Sequence, residues 1–116
     1  MTYAGFPVTH SIPSAQALLN HIQRDYDIGP LTACRYWQIG LNDTYMVIGA
    51  ERRYVLRIYR AGRRTSSDIE YELDALTQLS RMDVPVSTPL QRNDGARLTA
   101  LEAPEGRRYY VLFTGR

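Results

Sequence analysis

The sequence contains no lysine, and all fourteen of its basic residues are arginine. Schiff-base chemistry and lysine nucleophiles are therefore excluded. Any anion that the protein binds must be held by planar, permanently charged guanidinium groups or by backbone amides. The formal net charge is only +2, and the arginines are scattered among acids. This is not the basic stripe of a nucleic-acid-binding surface, so we expect no nucleic-acid partner.

Metal-ligating and redox-active residues are also scarce. Cys34 is the only cysteine, so an internal disulfide is excluded, and a lone thiol fits a reducing compartment such as the cytoplasm. Together with His10 and His21 it is too small a set for a zinc site. No apolar run reaches the roughly 18 residues of a membrane span. The N-terminal residues also lack the basic start and apolar core of a secretory signal.

The remaining composition is that of an ordinary folded domain. The chain has 116 residues, of which 44% are hydrophobic and 22% charged, and this predicts one small globular unit with a single core. Residues 1–13 contain two prolines and little periodicity, so we expect a loose N-terminal arm there. We expect one domain over residues 14–116.

Helical spacing predicts two helices. The first covers residues 14–26, with Ser14 as its N-cap and a Gly-Pro pair after its end. The second is the stronger one. It begins with Ser66 or Ser67 as its N-cap and runs to about residue 82, shortly before a proline that stops it.

The other segments alternate with the period of two that is typical of strands. Before the second helix we predict strands at residues 33–39, 44–48 and 54–59, with a turn at residues 40–43 between the first two. After it we predict a short strand near residues 86–91, then strands at 97–101 and 108–113. The element order predicts an α+β domain in which five of these six segments form a five-stranded antiparallel sheet, with one helix packed on it after the third strand, plus the N-terminal helix.

One acidic side chain of the second helix falls on its apolar face. Counting about 100° per residue from Ile69, the leucines Leu73, Leu76 and Leu79 fall at about 40°, 340° and 280°, and Glu72 lies inside this apolar arc at about 300°. Glu70, at about 100°, lies outside this arc and is expected to be solvated. A carboxylate on a buried stripe needs a cationic partner, because an unpaired buried charge costs several kcal/mol. Glu72 is therefore predicted to be paired.

The third predicted strand supplies a cation. Alternation along residues 54–59 places Val55 and Arg57 on one face and Leu56 on the other. Arg57 is thus the candidate partner of Glu72. The same spacing is also explained by a surface arginine on a half-exposed sheet together with a partly exposed glutamate.

The turn after the first strand begins at Gly40 and continues with Asn42, Asp43 and Thr44. Backbone N–H groups of such a turn, supported by amide and hydroxyl side chains, can fold over an anion. With one glycine and no lysine, the turn is neither a GxGxxG motif nor a Walker loop. A plain hairpin turn is the other explanation.

Four segments together form a recognisable order: 40–45 (GLNDTY), 54–59 (YVLRIY), 69–76 (IEYELDAL) and 84–89 (VPVSTP). In this order and spacing the sequence resembles the N-terminal lobe of the protein-kinase-like fold. Within that fold it is similar to the group of aminoglycoside phosphotransferases, choline kinases and homoserine kinases. The resemblance covers roughly residues 14 to 116.

The resemblance implies an ATP site. Arg57 takes the place of the strand cation, usually lysine in kinases, that contacts the α- and β-phosphates, and Glu72 takes the place of the helix acid that orients it. The turn at residues 40–44 would cover the phosphates, two valines would line the adenine pocket, and residues 112–115 would approach the hinge. The implied ATP-contacting residues are Arg57, Glu72, Gly40, Asn42, Asp43, Thr44, Val47, Val55 and Leu112.

The resemblance also implies what this sequence does not contain. In this group the catalytic acid and the Mg²⁺ ligands come from a second lobe, and no matching segment precedes the end of the sequence at Arg116. We therefore expect the ATP-binding lobe of a longer phosphotransferase that uses ATP and Mg²⁺, with no catalytic residue of its own. Joined to its C-lobe, it would transfer the γ-phosphate to a hydroxyl of a small molecule.

Two alternatives stay open at this point. In the first, the chain is a stand-alone module that binds a nucleotide or a partner protein without catalysis. In the second, it is an unrelated α+β interaction domain whose element order is coincidental. The acceptor is open as well, since specificity in this group resides mostly in the second lobe. Val47, Val55 and Leu112 would face an open cleft, so we also expect the isolated chain to self-associate.

Overall fold

The computed structural model describes residues 12–38, 42–62 and 64–115. Its elements, in chain order, are α1 (Ala15–Asp25), β1 (Leu31–Gln38), β2 (Asn42–Gly49), β3 (Arg53–Tyr59), α2 (Ser66–Arg81), β4 (Thr99–Ala103) and β5 (Gly106–Thr114). The strands form one five-stranded sheet in the order β1-β2-β3-β5-β4, and every neighbouring pair is antiparallel. The predicted fold class is confirmed, including the helix after the third strand.

Both helices begin at a residue that caps them with its own side chain. Ser14 is the N-cap of α1, as predicted. The cap of α2 is Thr65, not Ser66 or Ser67, and its hydroxyl and the carboxylate of Asp68 form a reciprocal capping box. The sequence did not distinguish these caps, because Ser67 is also followed by an acid three residues later. Neither helix described here is long and apolar enough to cross a membrane.

Most strand bounds lie one or two residues from the predicted ones, and two segments differ in a way that changes their assignment. Asn42 and Asp43, which were predicted in a turn, are the first two residues of β2. The predicted short strand near residues 86–91 is wrong, since this segment meets the sheet through an isolated bridge between Pro89 and Phe113. A proline has no amide hydrogen to donate to a neighbouring strand, which limits regular pairing there.

The sheet carries an apolar layer on each face. The α1-side layer contains Leu18, Ile22, Tyr26, Tyr45, Val47, Tyr54, Leu56, Ile58, Tyr110 and Leu112. The α2-side layer contains Tyr59, Ile69, Leu73, Val111 and Phe113, with Val55 packed against it. The alternation predicted for residues 54–59 is thus confirmed. The N-terminal helix does not stand apart from the sheet but packs on the face opposite α2.

A buried ion pair joins the strands within the α1-side layer. Nη2 of Arg108 in β5 lies 2.7 Å from Oδ2 of Asp43 in β2, and both side chains are fully buried. Nε of Arg108 donates to the carbonyl oxygen of Tyr59 at 2.9 Å, and the hydroxyl of Tyr36 donates to Asp43 at 3.0 Å. Since buried charges are tolerated only when they are paired and hydrogen-bonded, this network ties β1, β2, β3 and β5 together at one end of the sheet.

Arg108→Met is expected to lower the free energy of unfolding by about 3–5 kcal/mol, because it leaves the carboxylate of Asp43 buried without its cation. The double variant Asp43→Leu/Arg108→Met removes both charges and should recover most of this loss. Urea unfolding followed by circular dichroism measures all three proteins. A double variant as unstable as Arg108→Met would show that the hydrogen bonds to β3, and not the ion pair, provide the stability.

Cys34 in β1 packs against the α1-side layer, and burial raises the pKa of its thiol to about 11. Because the thiolate is the nucleophile, alkylation of the folded protein by iodoacetamide at pH 8 is expected to be at least about tenfold slower than in urea. The folded protein should react faster as the pH rises towards 11, whereas the unfolded one should level off earlier. Equal alkylation rates of the folded and the unfolded protein at pH 8, measured by mass spectrometry, would contradict the raised pKa of Cys34.

Candidate functional site

An ion pair between β3 and α2 is the centre of the site. Nη1 of Arg57 lies 3.1 Å from Oε1 of Glu72, and the two side chains are 35% and 28% exposed. Helix phase and strand alternation predicted this contact, and the structure contains it. The pair lies at the margin of the α2-side layer, where it is partly shielded but still reachable from solvent.

Arg64, in the segment just before α2, is a second cation on the same carboxylate. Its Nη1 lies 2.7 Å from Oε2 of Glu72, so each carboxylate oxygen accepts from a different arginine. Nη2 of Arg64 also donates to the carbonyl oxygen of Asp68 at 3.3 Å. The hydrogen bond and the charge of Glu72 raise the pKa of Arg64 above its ordinary value. Together the two arginines and the glutamate carry one net positive charge.

Two buried aromatic rings lie beneath these guanidinium groups. The guanidinium carbons of Arg57 and Arg64 lie 6.0 and 5.6 Å from the centre of the Tyr59 ring, and that of Arg57 lies 4.9 Å from the centre of the Phe113 ring. Both rings are 2% exposed. Such cation–π contacts contribute roughly 0.5–1 kcal/mol each at partly exposed sites, and they hold both cations against the sheet.

The register between β2 and β3 determines what else shares this face. Thr44 pairs with Arg57 and Met46 pairs with Val55, while Asn42 lies one step further along the same face. Directly opposed residues of an antiparallel pair point to the same side of the sheet. The face therefore has a polar end, formed by Asn42, Thr44 and Arg57, and an apolar end, formed by Met46 and Val55. The β2 members and Val55 are half-buried.

Val47 and Leu112 do not lie in an open cleft, contrary to expectation. Both are fully buried in the α1-side layer, because they point to the opposite face from Arg57. Thr44 and Val47 are an odd number of residues apart, so one strand cannot present both on one face. The residue that β2 contributes next to Val55 is Met46. Of the three residues on which the expected self-association rested, only Val55 remains half-exposed.

The turn residues are also placed differently from the expectation. Asp43 faces the α1-side layer in its ion pair with Arg108, and its carboxylate does not line the site. This removes a negative charge that would repel an anion next to Arg57. Gly40 lies outside the described residues.

Residues 112–115 use much of their backbone within the protein. The amide of Thr114 donates to the carbonyl oxygen of Thr88, and the amide of Gly115 donates to that of Arg53, both at 2.9 Å. These amides are therefore already paired. The segment ends the interior strand β5 and does not offer these two donors to a ligand.

The described residues contain no group of three or more histidine, cysteine or acidic side chains placed to hold a metal ion. The nearest candidate ligand, Glu72, is occupied by two arginines. Two surface cavities of about 450 and 440 Å³ lie elsewhere, and neither is lined by Arg57 or Glu72. The candidate site is thus an open, positively charged face of the sheet.

Comparison with solved structures identifies the fold. The microcompartment-associated aminopropanol kinase aligns with a TM-score of 0.71 and 27% identity, over 87% of this chain and 31% of that one. Amicoumacin kinase, solved with AMP-PNP, Ca²⁺ and Ami, aligns over 87% of this chain and 30% of that one, with a TM-score of 0.69 and 22% identity. Spectinomycin phosphotransferase, solved with ADP and spectinomycin, aligns over 91% of this chain and 30% of that one, with a TM-score of 0.68 and 11% identity. The last two show the fold alone.

Sequence comparison identifies the family. The profile of the phosphotransferase enzyme family (APH) matches residues 39–115. An uncharacterized protein of Synechocystis sp. is 42% identical over 97% of this chain and 32% of its own length. An uncharacterized protein of Deinococcus radiodurans is 41% identical over 93% of this chain and 31% of its own length. The chain thus spans about a third of the length of the curated relatives it matches.

The sheet order, the helix after β3 and the aligned structures define a domain of the kinase-like fold. The chain belongs to the phosphotransferase enzyme family. The resemblance inferred from the four sequence segments is confirmed. The alternative of an unrelated interaction domain with a coincidental element order is wrong.

Sequence reasoning missed two members of this site, Met46 and Arg64. For Met46 the sequence contained the information, since Met46 lies two residues after Thr44 and therefore faces the same side of the strand. Arg64 precedes the N-cap Thr65 in a non-periodic segment, and its side chain reaches Glu72 within α2. No spacing rule predicts that path.

The assignment of Met46 and Val47 to opposite faces is testable by stability. Val47→Thr buries an unpaired hydroxyl in the α1-side layer and is expected to lower the free energy of unfolding by about 1–3 kcal/mol. Met46→Thr, on the half-exposed face, should change it by less than about 1 kcal/mol. Urea unfolding of both variants decides this, and equal losses would contradict the faces described.

Proposed function

We propose that residues 14–116 form the ATP-clamping lobe of a phosphotransferase. Joined to a second lobe, this lobe positions ATP so that its γ-phosphate passes to a hydroxyl group of a small molecule. The observation that carries the proposal is the Arg57–Glu72 ion pair, in which an acid from α2 holds a partly exposed strand cation. The cation lies beside an apolar patch on the same face of the sheet.

The phosphates of ATP fit the donors that remain on Arg57. Its Nη1 donates to Glu72 and, at 3.5 Å, to the hydroxyl of Tyr59, while its Nη2 and Nε have no hydrogen-bond partner among the described residues. A guanidinium binds phosphate oxygens in bidentate fashion through two such adjacent donors. Glu72 and the aromatic rings hold its plane, so little side-chain freedom is lost on binding.

The adenine base fits the apolar end of the same face. Met46 and Val55 are half-buried neighbours across β2 and β3, and they offer an apolar wall against which a flat base can pack. Asn42 and Thr44, at the polar end, are placed to contact phosphate oxygens. We assign Gly40, which lies outside the described residues, the role of covering the phosphates.

The role of this chain is positional and electrostatic. ATP supplies the phosphoryl group, and the described residues hold it by charge and by contact with the base. We assign the Mg²⁺ ligands and the acid that accepts the hydroxyl proton to the second lobe. The length of the relatives and the aligned kinases, whose names refer to aminopropanol, amicoumacin and spectinomycin, support a further lobe and a small-molecule acceptor.

Isothermal titration of the chain with Mg-ATP tests the proposal. Arg57→Ala is expected to weaken binding by about 10- to 100-fold, since hydrogen bonds to a charged group contribute about 1.5–3 kcal/mol. Glu72→Gln should weaken it less, because Arg57 then keeps its charge but loses its anchor. Arg97→Gln is the matched control, because Arg97 binds Glu70 and Asp74 on the same helix without contacting Arg57, and it should bind as the wild type does.

Two results would overturn the proposal. One is a folded wild-type chain, checked by circular dichroism, that does not bind Mg-ATP. The other is binding that survives Arg57→Ala but falls with Arg97→Gln, which would place the anion near Arg97 instead. Binding with the expected pattern, but no phosphoryl transfer by the protein that includes the second lobe, would support the non-catalytic nucleotide-binding alternative.

A further inference from the structure

We propose that Arg64 is a second phosphate-binding residue, which contacts the same polyphosphate chain as Arg57. The assignment rests on the proposed function for the identity of the ligand. It goes beyond that function in naming a cation outside β3, in a segment that precedes α2.

Charge balance is the first argument. Glu72 carries one negative charge and accepts from two guanidinium groups, one on each oxygen. Asp68, the other acid near Arg64, uses its carboxylate in the capping box with Thr65 and forms no ion pair with Arg64 in the described structure. The cluster of Arg57, Arg64 and Glu72 therefore keeps one positive charge, which Asp68 offsets through its charge without a direct ion pair, and a bound polyanion would pair with it directly.

Position is the second argument. Both guanidinium groups contact one carboxylate and lie over one ring, that of Tyr59. They are therefore close enough together to contact neighbouring phosphates of one chain. The side chain of Arg64 is 37% exposed, and its Nε has no partner among the described residues, so it keeps a donor for a ligand.

The simpler role for Arg64 is to hold Glu72 in place. Arg57 already provides the cation that Glu72 needs, so pairing alone does not explain a second one. The two roles differ in what they affect. An orienting residue acts on every ligand of Arg57 through Glu72, whereas a phosphate-binding residue itself responds to the anion.

Nuclear magnetic resonance on the ¹⁵N-arginine-labelled 116-residue chain separates these roles. The Nε–H signals of Arg57, Arg64 and Arg97 are assigned from single Gln variants and followed during titration with sodium tripolyphosphate, ADP and adenosine. Tripolyphosphate and ADP are expected to shift the signals of Arg57 and Arg64 and to leave that of Arg97 unchanged. Arg97 is the control because it is also paired to acids of α2.

Affinity provides the second measurement. Arg64→Gln is expected to weaken tripolyphosphate binding at least tenfold, and Arg64→Lys should recover part of this loss because it restores the charge without the second donor edge. Adenosine should shift the methyl signals of Met46 and Val55, followed in ¹³C-methyl-labelled protein, by the same amount in the wild type and in Arg64→Gln.

Each outcome has a distinct meaning. If ADP shifts Arg57 but not Arg64, and Arg64→Gln binds tripolyphosphate as tightly as the wild type, the role of Arg64 is overturned and the proposed function stands. In a second outcome, tripolyphosphate shifts the Nε–H signals of both arginines, while adenosine leaves the methyl signals of Met46 and Val55 unchanged. The phosphate-binding role of Arg64 is then supported, and the assignment of the adenine site is overturned. If neither arginine responds to tripolyphosphate or ADP, both proposals fail.

Discussion

The alternation of side chains along β2 and β3 decides which strand residues belong to the candidate site. On one side, Leu56 is packed under α1, and on the other Arg57 stands next to α2. Because a strand has only two directions for its side chains, a cation in the middle of β3 can avoid the larger core only by facing α2. The same constraint places Thr44 and Met46 beside it through the β2–β3 register.

The start of α2 provides the other half of the site. The capping box between Thr65 and Asp68 fixes the first turn of the helix, and the helix then turns Ile69 and Leu73 towards the sheet. Glu72 lies next to this buried stripe, within reach of β3. Arg64 directly precedes the N-cap Thr65 and binds the same carboxylate as Arg57, so the second cation also lies at the start of the helix.

The sequence was sufficient to place a residue wherever the regular period of a helix or a strand applied. Helix phase and strand alternation predicted that Glu72 and Arg57 would meet. It was insufficient where tertiary contacts decide. Asp43 was predicted in a turn. Its burial in the sheet depends on its ion pair with Arg108 in the distant strand β5, and a local pattern does not show such a partner. Similarly, the side chain of Glu70 is 42% exposed, in line with the expectation that it is solvated, but it also pairs with Arg97 from the segment before β4, and no local pattern links these two residues.

The use of arginine at position 57 has a consequence for chemical biology. A guanidinium stays protonated at every physiological pH and is a poor nucleophile, whereas a lysine amine can be acylated. Nucleotide probes that label kinases by transferring an acyl group to the strand lysine find no amine on this face. Reagents of that kind therefore cannot label any side chain of this chain, since none of its 116 residues is lysine.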